Sequence, residues 1–521
     1  MRHEQNSCKR EAEMEHIEWI MLGTILVYMA LIVGVGILFS RRAGRGADAF
    51  FLGGRSLGPF VTAMSAEASD MSGWLLMGMP GLALLCGTAE AFWTALGLAI
   101  GTYFNWLIVA RRLRRYTVLT GSITVPGFFS RRFRDEKHIL STLAAAIIIV
   151  FFVPYTASGF VTCGKLFSTL FGMEYRRAML ISAAIIVAYT ALGGFLAASV
   201  TDYLQSIIMT FALLAVIGFG LSYAGGLDAV VTNARTIPQY LSLTAAAEQG
   251  KGSFGFLPIL STMAWGLGYF GVPHVLLRFM AIRRAGELTL ARRIGSVWVV
   301  ISMAAAICIG VVGRALMDQG VVGPYADTSE SETIIVAVAN IISGNGTLLA
   351  VLAGLILAGI LAATMSTADS QLLAAASAVS EDLFKGVFRW RIGEKQSLWI
   401  ARGTVVAVSI LAAILAYDPG SSVFRIVSFA WAGFGAAFGP LMLFSLFWKR
   451  TTLQGAVAGM VTGGAMIFLW KFLIRPNVAF LDFYELLPAF IFSALVIYGV
   501  SLMTPAPDRE VQAEFEQVDA L

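Results

Sequence analysis

Long apolar runs follow one another along the chain, separated by short polar or basic stretches. A helix rises about 1.5 Å per residue, so about 20 apolar residues cross a hydrocarbon layer about 30 Å thick. Runs of this kind fall near 17–38, 58–82, 90–110, 139–164, 178–198, 203–223, 255–277, 296–315, 347–377, 401–416, 426–447, 453–473 and 486–503. The pattern predicts an all-α polytopic membrane protein with about 13 transmembrane helices, since only helices and closed barrels satisfy every backbone group in lipid. The first run follows a polar start, residues 1–16, and precedes Arg41 and Arg42 without a small-residue cleavage pattern. It reads as an anchoring helix rather than a signal peptide.

Composition supports this. Of 521 residues 58% are hydrophobic and 13% charged, where soluble proteins carry about 25% charge. The net charge of +5 sits in clusters beside apolar runs, which argues for topology signals rather than a nucleic-acid surface. With the N-terminus outside, roughly two thirds of the Lys and Arg residues fall on one side. They lie in Arg41–Arg55, Arg111–Lys137, Arg278–Arg293 and Lys385–Arg402, with Lys449, Arg450 and Arg509. The expectation is a multi-pass protein of the bacterial cytoplasmic (inner) membrane, N-terminus outside, with 504–521 as a cytoplasmic tail. Cys8, Cys86, Cys163 and Cys308 are far apart and show no metal spacing, so no disulfide framework is expected. No Walker loop, dinucleotide fingerprint, HExxH or nucleophile elbow is present, which argues against an enzyme or an ATP-driven pump.

Two runs are poorly made helices. Run 58–82 contains Ser65, Ser69, Asp70, Ser72, Gly73, Gly78 and Pro80, and run 255–277 contains Gly266, Gly268, Gly271, Pro273 and His274. Proline removes a donor and glycine weakens the helix, so both should break inside the membrane. They are five runs apart, an odd number, so they cross in opposite directions. Such a pair suits an inverted repeat of 58–223 (helices 2–6) and 255–447 (helices 7–11). Helix 17–38 and helices 453–503 then flank it, and a binding site lies where the breaks meet.

Ionisable and hydroxyl groups inside apolar runs invite a functional explanation. Asp70, among unwound carbonyls and hydroxyls, offers oxygen ligands to a small hard cation, or caps the second half-helix. Ala363, Ser366, Thr367 and Ser370 share one helix face, which must look inward, although such hydroxyls often bond only to their own preceding turn. Asp202 either caps run 203–223 or reaches an inward site. Trp74, Tyr155, Trp265, Tyr269 and Phe270, beside the breaks, suit a solute with an apolar body and a charged head, while plain packing explains any one of them. His274 reads as a hydrogen-bonded structural histidine. Glu67 is open between ligand, proton site and a bond to a neighbouring helix. Lys165 and Arg314, near run ends, are expected to snorkel to the interface.

Phe51–Arg55 (FLGGR), residues 65–80 (SAEASDMSGWLLMGMP), Gly193-Gly194-Phe195 with Thr201-Asp202, residues 265–274 (WGLGYFGVPH) and 365–373 (MSTADSQLL) together resemble the sodium/solute symporter family, in particular its bacterial proline-carrying branch. The resemblance runs in order from about residue 17 to 503. It implies a LeuT-like core of two inverted five-helix repeats that imports L-proline together with sodium by alternating access. It further implies a co-transported sodium ion on the Ala68, Met71 and Ala363 carbonyls and the Ser366 and Thr367 hydroxyls, supported by Asp70. The implied solute site comprises Ser72, Gly73, Trp74, Tyr155, Trp265, Tyr269 and Pro273, with Phe270 beside them. Three positions depart from the family pattern: Glu67 replaces a small residue, Val272 a glutamine and Asp369 a serine. Asp369 and Ser370, opposite Asp202, are candidates for a second sodium or a proton. The expected partners are a small solute, sodium and the lipid bilayer, with no nucleic acid. Rival readings are the same transporter with another amino acid, a betaine or a carboxylate as cargo, and a transporter-like sensor, which the short tail disfavours.

Overall fold

The computed structural model describes residues 2–42, 47–245, 254–387, 390 and 393–520. Every predicted run becomes a helix or a broken pair. In chain order these are α1 (Arg2–Arg42), α2 (Pro59–Asp70), α3 (Trp74–Cys86), α4 (Thr88–Leu119), α5 (Ile139–Phe171), α6 (Tyr175–Leu192) and α7 (Phe195–Tyr223). There follow α8 (Phe256–Phe270), α9 (Pro273–Ala281), α10 (Leu288–Asp318), α11 (Ile334–Ser343) and α12 (Thr347–Val387). The remainder are α13 (Glu394–Leu415), α14 (Val423–Phe447), α15 (Leu453–Asn477), α16 (Leu486–Met503) and α17 (Arg509–Ala520). Ten described helices are long and apolar enough to cross a membrane. The most apolar stretches of α12 and α14 are 72% and 78% buried against 22% for α1, so the first two are central and the last peripheral.

Both breaks appear where glycine and proline cluster. α2 ends at Asp70, Met71 leaves helical geometry at φ −83, ψ 77, and a tight turn follows, with the Ser72 amide bonded to the Asp70 carbonyl at 3.0 Å. A Cβ on Gly73 would collide with the Thr162 side chain of α5. α8 tightens to a 3-10 helix over Ala264–Phe270, Val272 is extended at φ −75, ψ 113, and Pro273 starts α9, the helix position where its missing N–H costs nothing. A Cβ on Gly271 would strike the Phe434 carbonyl of α14.

The two broken helices run in opposite directions. A short parallel bridge pairs Leu57, just before α2, with Ile282, just after α9. It is closed by Leu57 N–H to Ala281 carbonyl at 3.2 Å and Arg283 N–H to Leu57 carbonyl at 2.9 Å. At the other face, the Thr88 amide reaches the Tyr240 carbonyl at 2.9 Å, which sets the exit of α3 beside the segment leading to α8. The bridged face also collects basic loops. Arg55 donates to the Met280 and Ser122 carbonyls, Arg114 to Ile282, and Arg134 pairs with Glu510 and Glu514 of α17.

Several expectations need correction. Arg278, grouped with the basic loops by its place at the end of a run, is buried inside the bundle. Lys165 does not snorkel. Its ammonium is buried and pairs with Glu332 at 2.6 Å, because the segment after α10 folds back over the bundle as a short turn, Thr328–Ser331, and α11. That ten-residue helix was too short to register as a span. Arg314 does lie near a helix end, half-buried and paired with Asp318 at 3.1 Å. Cys86, Cys163 and Cys308 form no disulfide among the described residues; the side chain of Cys8 lies outside the described residues.

Candidate functional site

The last turn of α2 lies against α12. Ser366 Oγ donates to the Ala68 carbonyl at 2.8 Å and to its own Ala363 carbonyl at 3.1 Å, and Thr367 Oγ1 lies 3.5 Å from the Ala68 carbonyl. Four oxygens, the Ala68 carbonyl in the last turn of α2, the Ala363 carbonyl within α12 and the two hydroxyls, thus converge in a buried space that suits a small hard cation. Met71 is buried at the break itself, its amide bonded to the Glu67 carbonyl at 2.9 Å.

Asp70 is the hub of the first break. Tyr269 of α8 donates to its Oδ2 at 2.6 Å, while Tyr155 of α5 and the Trp74 indole donate to its carbonyl at 3.0 and 3.1 Å. Its Oδ1 and the Ser72 hydroxyl have no partner among the described residues. Ser72, Gly73, Trp74, Tyr155 and Tyr269 are therefore one site. The Trp265 ring, 5.9 Å from Trp74, extends it, and Phe270 and Pro273 are buried where α8 gives way to α9. Trp431, Phe424 and Tyr484 also close on Trp265, at 6.4, 5.2 and 5.3 Å. Trp431 and Phe424 are on α14 and Tyr484 is in the loop before α16, and nothing in their own stretches of sequence singled them out.

Glu67 bonds to a neighbouring helix through one oxygen, and its Oε2 has no partner among the described residues. Oε1 accepts from Thr102 at 3.0 Å and from the Trp106 indole at 2.8 Å, both on α4. His274 differs from its expectation: it is fully buried, yet neither ring nitrogen has a partner among the described residues. Asp202 lies two turns inside α7, so it is not a cap. Its Oδ2 accepts from Ser65 at 2.7 Å and from Arg278 at 3.0 Å, and the same guanidinium reaches Ser370 Oγ at 2.5 Å. Ser370 in turn lies 3.3 Å from Asp369 Oδ1. Asp202, Asp369 and Ser370 are thus gathered around a cation that belongs to the chain itself. The sign of that cation was readable from the sequence, but its inward direction was not.

A helical membrane protein with two antiparallel broken helices, and a buried set of oxygens at one break, has the architecture of a secondary active transporter. The model of the Sodium:solute symporter family matches residues 50–463. The sodium/proline symporter of Salmonella typhimurium is 41% identical over 506 residues, 96% of both chains. The high-affinity proline transporter PutP of Bacillus subtilis is 43% identical over 469 residues, 89% of this chain and 94% of the other. The solved structure of a sodium-coupled sialic acid symporter, substrate-bound and outward-open, superposes with a TM-score of 0.77 at 17% identity, covering 94% of this chain and 99% of that one. The chain belongs to the sodium:solute symporter family. It is a multi-pass membrane protein with the LeuT-like fold, a sodium-coupled solute symporter and not an enzyme.

Proposed function

We propose that the protein imports L-proline with sodium across a bacterial cytoplasmic membrane, N-terminus outside and C-terminus inside, with 58–223 and 255–447 as the two repeats. The observation that carries this is the convergence of Tyr269, Tyr155 and Trp74 on Asp70, one turn from the Ala68 oxygen cluster. In this reading sodium binds between α2 and α12, on the Ala68, Met71 and Ala363 carbonyls and the Ser366 and Thr367 hydroxyls. Bound sodium fixes the geometry of the break, and the fixed break presents Gly73 and Trp74 to the solute. Each ligand then favours the other, since coupling between two sites is reciprocal. The proline ring suits the cage of Trp74, Trp265 and Tyr269, and its charged groups suit the ends of interrupted helices.

The energetics are sufficient. One charge moving inward through 100 mV releases about 2.3 kcal/mol, and a tenfold sodium gradient adds about 1.4 kcal/mol. Together they sustain a solute gradient of several hundredfold. At the second cluster, Arg278 pairs with Asp202 and reaches Asp369 only through Ser370, which leaves the Asp369 carboxylate for a further cation or a proton.

The test is uptake of labelled proline into proteoliposomes with an imposed sodium gradient, with competition by other amino acids, betaines and carboxylates. Sodium-driven uptake displaced best by unlabelled proline supports the proposal. Displacement by another solute at lower concentration reassigns the cargo, and Val272 at the second break is then the first residue to examine.

A further inference from the structure

The N-terminal turn of α9 carries an orphaned polar group that the sodium site does not use. His274 is the second residue of this nine-residue helix and is fully buried. Both of its ring nitrogens lack a partner among the described residues. A buried polar atom left unmatched costs about 1–3 kcal/mol, and an imidazole whose one donor and one acceptor are both unmatched, beside the proposed solute site, marks a place where a ligand completes the bonding. The ring lies 6.0 Å from that of Tyr155 and 5.7 Å from that of Phe152. Tyr155 in turn bonds the Asp70 carbonyl at 3.0 Å. His274 is therefore one aromatic ring away from the first break.

The backbone around it has the same sign. The first amides of a helix have no intrahelical acceptor and carry the positive end of its dipole, and Pro273 leaves the His274 and Val275 amides as the first available donors. One turn on, the Arg278 guanidinium donates to the His274 carbonyl at 2.8 Å, but its charge is met by Asp202 at 3.0 Å, so the donors for an anion are the helix amides and the imidazole. The other half-helix that begins at a break, α3, is the poorer anion site, because the Asp70 carboxylate stands beside it with Oδ1 unpartnered. The C-terminal end of α2, rich in carbonyls, favours the cation instead.

We infer that the first turn of α9, with the His274 imidazole as donor, holds the carboxylate of the transported solute. This rests on the proposed transport of a zwitterionic amino acid and assigns the site for its anionic group. The imidazole N–H and the helix amides donate to the carboxylate oxygens, so an analogue with a neutral amide in place of the carboxylate loses the charge-assisted part of the binding.

The experiment measures sodium-driven uptake of labelled proline in proteoliposomes and its inhibition by unlabelled proline and by prolinamide. The wild type is compared with His274→Phe and His274→Gln. The wild type is expected to prefer proline over prolinamide by at least about tenfold, the scale of a hydrogen bond to a charged group. His274→Phe should lose most of that preference with sodium-driven uptake still present, and His274→Gln, which keeps a donor, should recover part of it. Wild-type protein that binds prolinamide as tightly as proline overturns the inference, and this holds even if His274→Phe does not fold. So does a His274→Phe protein whose preference is unchanged. Absence of sodium-driven proline uptake in the wild type instead sinks the underlying transport reading, and the carboxylate assignment with it.

Discussion

At the first break the chain gathers carbonyls, hydroxyls and the Asp70 carboxylate; at the second it gathers aromatic rings, a proline and a histidine. Both interruptions are buried, and both are held by a glycine too close to a neighbour for any side chain. They differ in electrical sense. α2 brings the carbonyl end of a helix to its break, and α9 brings the amide end. One fold motif used twice in opposite directions thus makes a cation-favouring half and an anion-favouring half. On the proposed reading, in which sodium and a zwitterionic solute bind side by side, both halves are used.

The largest effect should come from removing the charge at the first break. Asp70→Asn keeps the shape and an acceptor for Tyr269, yet should lower sodium-driven uptake by at least about a hundredfold, the scale of a buried charge-assisted interaction near 3 kcal/mol. Uptake within a few-fold of wild type would erase the contrast between the breaks. Next come the glycines. Gly271→Ala forces a methyl against the α14 backbone, which cannot yield, and should destabilise by about 1–3 kcal/mol, read as a fall in thermal midpoint in detergent. Gly73→Ala meets only a side chain, so Thr162→Ala should rescue part of its loss.

Ser366→Ala should raise the sodium concentration for half-maximal uptake by about tenfold, one hydrogen-bonding ligand's worth, with less effect at saturating sodium. Asp369→Asn tests the second cluster, where a changed sodium dependence of uptake supports a further cation and an unchanged one removes it. Glu67→Gln should have the smallest effect, within about threefold. It preserves the acceptor for Thr102 and Trp106, and a large loss would bring Glu67 into the cation site.

The breaks were legible because glycine, proline and hydroxyl residues are conspicuous in apolar runs, and Asp70, Ser366 and Thr367 were legible for the same reason. Ala68 and Met71 were not, because a ligand that acts through its carbonyl leaves no mark on its side chain; only the family resemblance pointed to them, while Ala363 was marked only by sharing a helix face with Ser366 and Thr367. Lys165 and Arg278 were misread for another reason. Each lies near the end of an apolar run, where a basic side chain normally reaches the interface, and each is instead turned inward by an acid far away in sequence, Glu332 and Asp202. The partners of Trp265 were hidden likewise, since ring contacts between helices depend on how the bundle closes. α11 escaped notice because a ten-residue apolar helix is indistinguishable from a loop until something covers it.

The bridge between Leu57 and Ile282 has a mechanical consequence. Two backbone hydrogen bonds, reinforced by Arg55, rivet the entry of α2 to the exit of α9. The two half-helices are therefore tied to each other at the bridged face, and each parts from its other half at a stretch outside regular α-helix, Met71–Gly73 and Gly271–Val272.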